Sequence, residues 1–208
     1  MKAFAITWRG LAGLFDELFL YIFLSVLWWV GVILVLPAGP VTLALHNVAN
    51  RTANYKRVDM SLFWGSLRKN IGASWLLFGG SLVAIVGLLA NIWFYGVRSG
   101  WFFVIAIAWA WVLLIVLMAG QFFFPLFWQQ ADRRLILIVR NAVIMAFRYP
   151  LFSLLLMILQ LILFAVSIVI PIFVVLIAPA LIALIANFGM VHILQDMDMA
   201  PPPPYQSN

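Results

Sequence analysis

Long apolar runs with no charged residue in their central parts constrain this 208-residue chain more than any other feature. A helix needs about 20 apolar residues to cross a hydrocarbon core of about 30 Å, because no water is present there to satisfy backbone N–H and C=O groups. The runs lie at residues 19–36, 71–95, 101–127 and 151–194. As one helix the last, of about 44 residues, would extend about 66 Å, roughly two bilayer thicknesses, and its part outside the membrane would leave apolar surface in water. Pro171 divides it into spans 151–169 and 172–194 joined by a very tight turn. The expected fold is therefore all-α: a polytopic membrane protein with five transmembrane helices in a single domain over residues 1–195, then a flexible Pro-rich tail over 196–208. Composition agrees, with 67% hydrophobic and 9% charged residues, ten Trp and eighteen Phe, too much apolar surface for a soluble domain of this size to hide.

Two breaks are explicit in the sequence. Pro37-Ala38-Gly39-Pro40 ends the first span, since that cluster cannot continue an unbroken helix. Gly96-Val97-Arg98-Ser99-Gly100 leads from the second span straight into the third, which predicts a tight helical hairpin.

Charge orients the bundle. The connections after spans one and three carry Arg51, Lys56, Arg57, Arg68, Lys69, Arg133, Arg134, Arg140 and Arg148, nine of the twelve Lys and Arg; the other side carries Lys2, Arg9 and Arg98. That asymmetry predicts both long connections and the C-terminus in the cytoplasm and the N-terminus outside, in a multi-pass membrane protein. The first apolar run is too long for a cleavable signal peptide, and no small-residue cleavage pattern follows it. The formal charge of +6 does not imply nucleic acid, because the cations sit in short connections beside apolar spans. The lipid bilayer is their expected partner, with Arg68, Lys69, Arg133, Arg134, Arg140 and Arg148 meeting headgroups. The absence of Cys removes disulfides, thiolate metal sites and cysteine nucleophiles.

Each long connection follows a span that ends near a proline, Pro40 or Pro125, and becomes amphipathic before the next span. In 60–70, Phe63 and Leu67 share an apolar face; in 135–148, Leu135, Val139, Val143 and Phe147 form one stripe. Both segments are expected to be helices lying at the headgroup level on the cytoplasmic side. The likeness suggests two parallel copies of a span–amphipathic helix–span unit, and a shared topological need explains it equally well.

From Pro40 onward a new helix begins, proline being well placed where its missing N–H has no intrahelical partner. Thr42, His46 and Asn50 recur at every fourth position and so share one face, followed by Arg51. This is either a polar stripe that binds a ligand or partner, or a helix surface wetted by the interface. A metal at His46 is not expected, since the other His is His192 and no carboxylate lies at ligand spacing.

Trp28 and Trp29, the run Leu36-Pro37-Ala38-Gly39-Pro40-Val41-Thr42-Leu43-Ala44-Leu45, and the basic stretch with Phe63, Arg68 and Asn70 resemble the YesL-like bacterial integral membrane proteins, a domain of unknown function. The resemblance spans about residues 10–195. It implies five spans and an association with carbohydrate uptake and polysaccharide use; Pro37, Gly39, Pro40 and Thr42 match its motif without an assigned role. The segment Pro201-Pro202-Pro203-Pro204-Tyr205 lies outside the resemblance and should be extended polyproline.

Six carboxylates scattered over both sides, Asp16, Glu17, Asp59, Asp132, Asp196 and Asp198, and two His in different segments announce no acid–base pair or triad. An enzyme would have to assemble its site from residues such as His46, Asp59 and Asp132. No ionisable group lies inside the spans to couple transport to an ion gradient. Ser74, Asn91, Gln121, Gln160, Ser167 and Asn187 suit interhelical hydrogen bonds, or the lining for a neutral, hydroxyl-rich solute. The leading expectation is a non-catalytic accessory or scaffold protein without a cofactor, bound to another membrane protein and associated with carbohydrate uptake. A facilitator for a small neutral solute and a lipid- or pigment-binding structural protein are the alternatives; Trp28, Trp93, Trp101 and Trp128 fit ordinary interfacial anchoring.

Overall fold

The computed structural model describes residues 2–201, and the described residues form helices, turns and no strand. The helices are α1 (Lys2–Asp16), α2 (Leu18–Ile33), α3 (Ala38–Ala53), α4 (Met60–Lys69), α5 (Ile71–Gly96), α6 (Trp101–Gly120), α7 (Phe123–Gln129), α8 (Leu135–Arg148), α9 (Pro150–Val169), α10 (Pro171–Leu176) and α11 (Ala178–Asp196). Four stretches are long and apolar enough to cross a membrane: Ile71–Gly96, Trp101–Gln129, Pro150–Val169 and Ala178–Asp196. A fifth arises if α1 and α2, bent 99° to one another, count as one broken span. The chain is therefore a helical, multi-pass membrane protein.

The first apolar run departs from the expected single helix over 19–36. Its helix, α2, has 16 residues, about 24 Å, and stops at Ile33. Residues 34–37 then turn the chain, with Val35 at φ 63°, a left-handed conformation that β-branched residues rarely adopt. The turn is tied down because the Trp75 indole N–H donates to the Leu36 carbonyl at 2.9 Å. Pro40 sits in the first turn of α3, where a missing N–H costs no intrahelical bond. At its other end, α3 is followed by a tight reversal with Tyr55 at φ 55°, in which the Lys56 amide donates to the Arg51 carbonyl at 3.0 Å. Asp59 then caps α4 by accepting from the Ser61 amide at 2.7 Å.

The expected hairpin is present. Gly100, at φ 72°, closes the turn between α5 and α6, and the Arg98 guanidinium lies 3.6 Å above the Phe94 ring. Most side chains of this hairpin are exposed: Val83 by 74%, Trp93 by 71% and Trp101 by 83%.

The last apolar run differs most from expectation. Instead of one span over 172–194, α10 ends at Leu176, and Ile177 separates it from α11. Of the window that qualifies α11 as a span, 83% is buried, against 22% for α9. It is the central helix, packed by α1, α2, α3, α7 and α9. Small residues permit this. Ala180, Ala183, Ala186 and Gly189 recur at every third position and are all buried. A Cβ on Gly189 would collide with Leu156 of α9, and one on Gly10 of α1 would lie 2.8 Å from Ile185 of α11. Close approach of backbones is what holds helices together where lipid removes the hydrophobic drive. α1 buries Ala3, Ile6, Gly10, Gly13 and Leu14 against this core, a role its two cations concealed in the sequence.

The amphipathic segments are both helices. Phe63 of α4 is buried, as the period predicts. For α8 the buried face is Ile138, Ala142 and Met145; of the expected stripe Leu135 and Val143 pack half-buried against the core, while Val139 and Phe147 are 41% and 58% exposed. α8 is apolar around most of its circumference, so its period leaves the face open by one position. The same order of elements occurs twice. A long helix, α2 or α6, is followed by a short break and a helix with Pro40 or Pro125; a turn then leads to a returning helix, α4 or α8, and a span, α5 or α9. The one-residue kinks before those spans, Asn70 and Tyr149, share φ −127°. Pro202 to Tyr205 of the tail lie outside the described residues.

Candidate functional site

The polar face of α3 is the most specific local feature, and it is internal. Thr42, His46 and Asn50 are each 8% exposed, so the stripe is largely enclosed by protein rather than spread on a solvent-facing surface. Each residue has its own partner. Thr42 Oγ1 donates to the Ala38 carbonyl at 2.8 Å and accepts from the Trp28 indole at 2.9 Å. His46 Nδ1 lies 3.0 Å from Asn187 Nδ2 of α11, and its ring stacks on Phe124 with centroids 5.1 Å apart. Asn50 Nδ2 donates to Gln129 Oε1 of α7 at 3.2 Å. The stripe thus ties α3 to α2, α11 and α7 in turn. Its spacing was legible in the sequence; its partners, as far as 141 residues away, were not.

A cavity of about 150 Å³ adjoins the upper part of this stripe, lined by Trp28, Trp29, Thr42, His46, Phe164 and Ile182 among others. The Trp29 indole is held by the Val174 carbonyl at 2.9 Å. Asn187 donates to both His46 and the Ala183 carbonyl, which leaves its buried Oδ1 without a partner. A second polar network lies elsewhere: Gln160 Nε2 donates to Gln121 Oε1 at 3.2 Å, and Gln121 Nε2 to the Ser153 carbonyl at 3.0 Å. Asn187 bonds to His46 and Ala183 instead, so Gln121, Gln160 and Asn187, three of the residues expected to line a solute path, fall into two separate groups.

At the C-terminal end of α3 the stripe opens into a polar pocket of about 380 Å³, lined by Asn47, Asn50, Arg51, Asn54, Lys56, Trp128, Gln129 and Arg133. Sequence reasoning named Asn50 and Arg51 as binding residues, gave Lys56, Trp128 and Arg133 other roles at the membrane surface, and missed Asn47, Asn54 and Gln129. The available signal was Asn54, one further step of four along the stripe, and Gln129 at the end of the third apolar run. Asn54 Nδ2 donates to the same Gln129 Oε1 at 3.1 Å and to the Asn50 carbonyl at 2.8 Å. The Trp128 indole donates to the Leu43 carbonyl at 2.8 Å, and the Arg133 guanidinium sits 4.9 Å from the Trp128 ring.

The remaining cations are dispersed. Arg68 and Lys69 end α4 exposed, and Arg140 and Arg148 are exposed on α8. Arg134 is engaged by Asp132, Nη2 to Oδ2 at 2.7 Å. The Arg134 side chain holds the Asp132 carboxyl below its ordinary range, and the Ser61 hydroxyl and amide do the same for Asp59. His46, Asp59 and Asp132, the residues an enzyme would have to assemble, have three different sets of partners. Among the described residues no group of three His, Asp or Glu is placed to hold a metal ion. Pro37, Gly39 and Pro40 shape the entry to α3: a Cβ on Gly39 would meet the backbone C and O of Ser74 at 3.1 Å, so α3 and α5 cross backbone to backbone there.

Comparison with family models, with curated proteins and with solved structures gives no match. The fold and site define the class, a helical multi-pass membrane protein with a polar-locked internal helix.

Proposed function

We propose that the chain is a non-catalytic scaffold or accessory protein of a bacterial plasma membrane that assembles with another membrane protein. One observation carries the reading: the polar side chains of α3 pair separately with α2, α11 and α7 instead of converging on a shared reactive centre, while the α5–α6 hairpin leaves its apolar side chains outward. Such an arrangement suits a rigid body that presents surface to lipid and to other spans. We place the connections that contain α4 and α8 in the cytoplasm, on the strength of nine cations against three. Arg68, Lys69, Arg140 and Arg148 then meet anionic headgroups. The association with carbohydrate uptake rests on the resemblance to YesL-like proteins.

The test is gentle solubilisation of native membranes with a C-terminal tag, with photoreactive residues at Val83 or Ile107 on the exposed faces of α5 and α6. A stoichiometric membrane partner cross-linked at these positions supports the scaffold. A single species without cross-links contradicts it. A second reading, a facilitator for a small neutral solute, draws on the cavity beside Trp28, Trp29, Thr42 and His46. Flux of a labelled polyol into liposomes containing the protein alone distinguishes it from the scaffold.

A further inference from the structure

We propose that the pocket at the end of α3 binds a phosphate group, carried by a lipid headgroup or by a soluble phosphorylated molecule. The inference does not rest on the scaffold reading, since it concerns a ligand and not a protein partner.

Three cations line this pocket, Arg51, Lys56 and Arg133, and no carboxylate does. Among the described residues the ion pairs are Lys2–Asp196 and Arg134–Asp132, with His192 3.8 Å from Asp196, so none of the three cations is neutralised by a carboxylate at bonding distance. The two nearest in sequence have other bonding partners: Asp59 caps α4 through Ser61 and acts on Arg51 only as a longer-range charge, and Asp132 holds Arg134. Like charges converging on a space of about 380 Å³ repel, and an oxyanion between them replaces repulsion with attraction.

The surroundings are built rather than incidental. Lys56 reaches the pocket because Tyr55 adopts φ 55° and the Lys56 amide returns to the Arg51 carbonyl at 3.0 Å. Arg133 is positioned by the faces of Trp128 and Phe127, at 4.9 and 5.3 Å. Buried Asn50 and half-buried Asn54 both donate to Gln129 Oε1, which fixes that amide. With Oε1 accepting twice, Gln129 lines the pocket with an NH₂ that donates to none of the described residues. Guanidinium forks, an ammonium and an amide NH₂ around one space are the donor set that suits the tetrahedral oxygens of a phosphate. The α3 C-terminus opposes an anion through its dipole, and three full charges outweigh that half charge.

The experiment uses the full chain purified in neutral detergent. One arm titrates inorganic phosphate by calorimetry. The other adds phosphatidylglycerol or phosphatidylcholine in equal amounts and counts bound lipids by native mass spectrometry. The variants are Arg51→Gln with Arg133→Gln, and Lys56→Gln alone, a milder change of an exposed side chain should the double variant fail to fold. Arg98→Gln, at the turn of the α5–α6 hairpin and outside the pocket, is the control. Binding of phosphate or preferential binding of phosphatidylglycerol, weakened at least tenfold in the double variant and severalfold in Lys56→Gln but not in Arg98→Gln, is the expected result. Retention of phosphatidylglycerol without affinity for free phosphate assigns the group to a lipid; competition between the two assigns it to phosphate from either source. No binding of either probe, or equal loss in Arg98→Gln, overturns the proposal.

Discussion

Gly39 offers the sharpest test of the packing described here, because its neighbour is backbone and cannot step aside. The Cβ of Gly39→Ala would stand 3.1 Å from the Ser74 carbonyl carbon and oxygen and 3.2 Å from the Trp75 nitrogen. Such contacts are relieved only by moving α3 away from α5, an overpacking cost of about 1–3 kcal/mol. Against it stands the helix-propensity gain of Gly→Ala, up to about 1 kcal/mol and less near a helix start. The net expectation is a destabilisation of about 1 kcal/mol, rising beyond about 3 kcal/mol for Gly39→Leu. Gly65, inside α4, has nothing within 4 Å of its missing Cβ. There the propensity term stands alone, and Gly65→Ala should stabilise by about 0.5–1 kcal/mol. Unfolding of both variants in one mild detergent, followed by near-ultraviolet circular dichroism against denaturant, reads the two signs side by side. Equal shifts in the same direction, or a Gly39→Ala protein at least as stable as wild type, would refute the close crossing of α3 and α5.

Other perturbations address the internal polar contacts. Asn187→Leu strands His46 Nδ1 in the core and should cost about 1–3 kcal/mol, while pairing it with His46→Phe should recover part of the loss, giving a non-additive double-mutant cycle by the same unfolding assay. Thr42→Val leaves the Trp28 indole without its acceptor and should cost about 1–2 kcal/mol, a loss much reduced when Trp28 is already Phe. Acidification should weaken the start of α4: the Asp59 carboxyl titrates below its unfolded value of 3.8 when folded, so its capping contribution is present above that value and is lost as pH falls through the folded one. Asp59→Asn, still a good cap, should lose this part of the acid sensitivity, which denaturant midpoints at pH 3 and pH 7 compare directly.

The parts of the fold that the sequence displays are those where chemistry changes abruptly. The α5–α6 hairpin is bounded by Gly96-Val97-Arg98-Ser99-Gly100, and both spans begin where expected, at 71 and 101. Pro37 and Pro40 likewise mark the break before α3. Hydropathy alone does not separate a lipid-facing helix from one enclosed by protein, which is why 172–194 reads as a single span although α11 is the core helix. The distinguishing trait is its composition, with Ala180, Ala183, Ala186 and Gly189 on a repeat that α9, rich in Leu and Ile, lacks. The site was half visible for a similar reason. Periodicity reveals that Thr42, His46 and Asn50 share a face, but whether that face meets water, lipid or protein depends on contacts with Trp28, Asn187 and Gln129 that have no local signature.

Because the chain has no Cys, single cysteines can report topology without a background. Lys56→Cys and Arg133→Cys should react with an impermeant maleimide only after the cytoplasmic side is opened, and Arg98→Cys, at the turn of the α5–α6 hairpin, should react in intact cells. Labelling of positions 56, 98 and 133 from one and the same side would contradict the membrane-spanning hairpin on which this account rests.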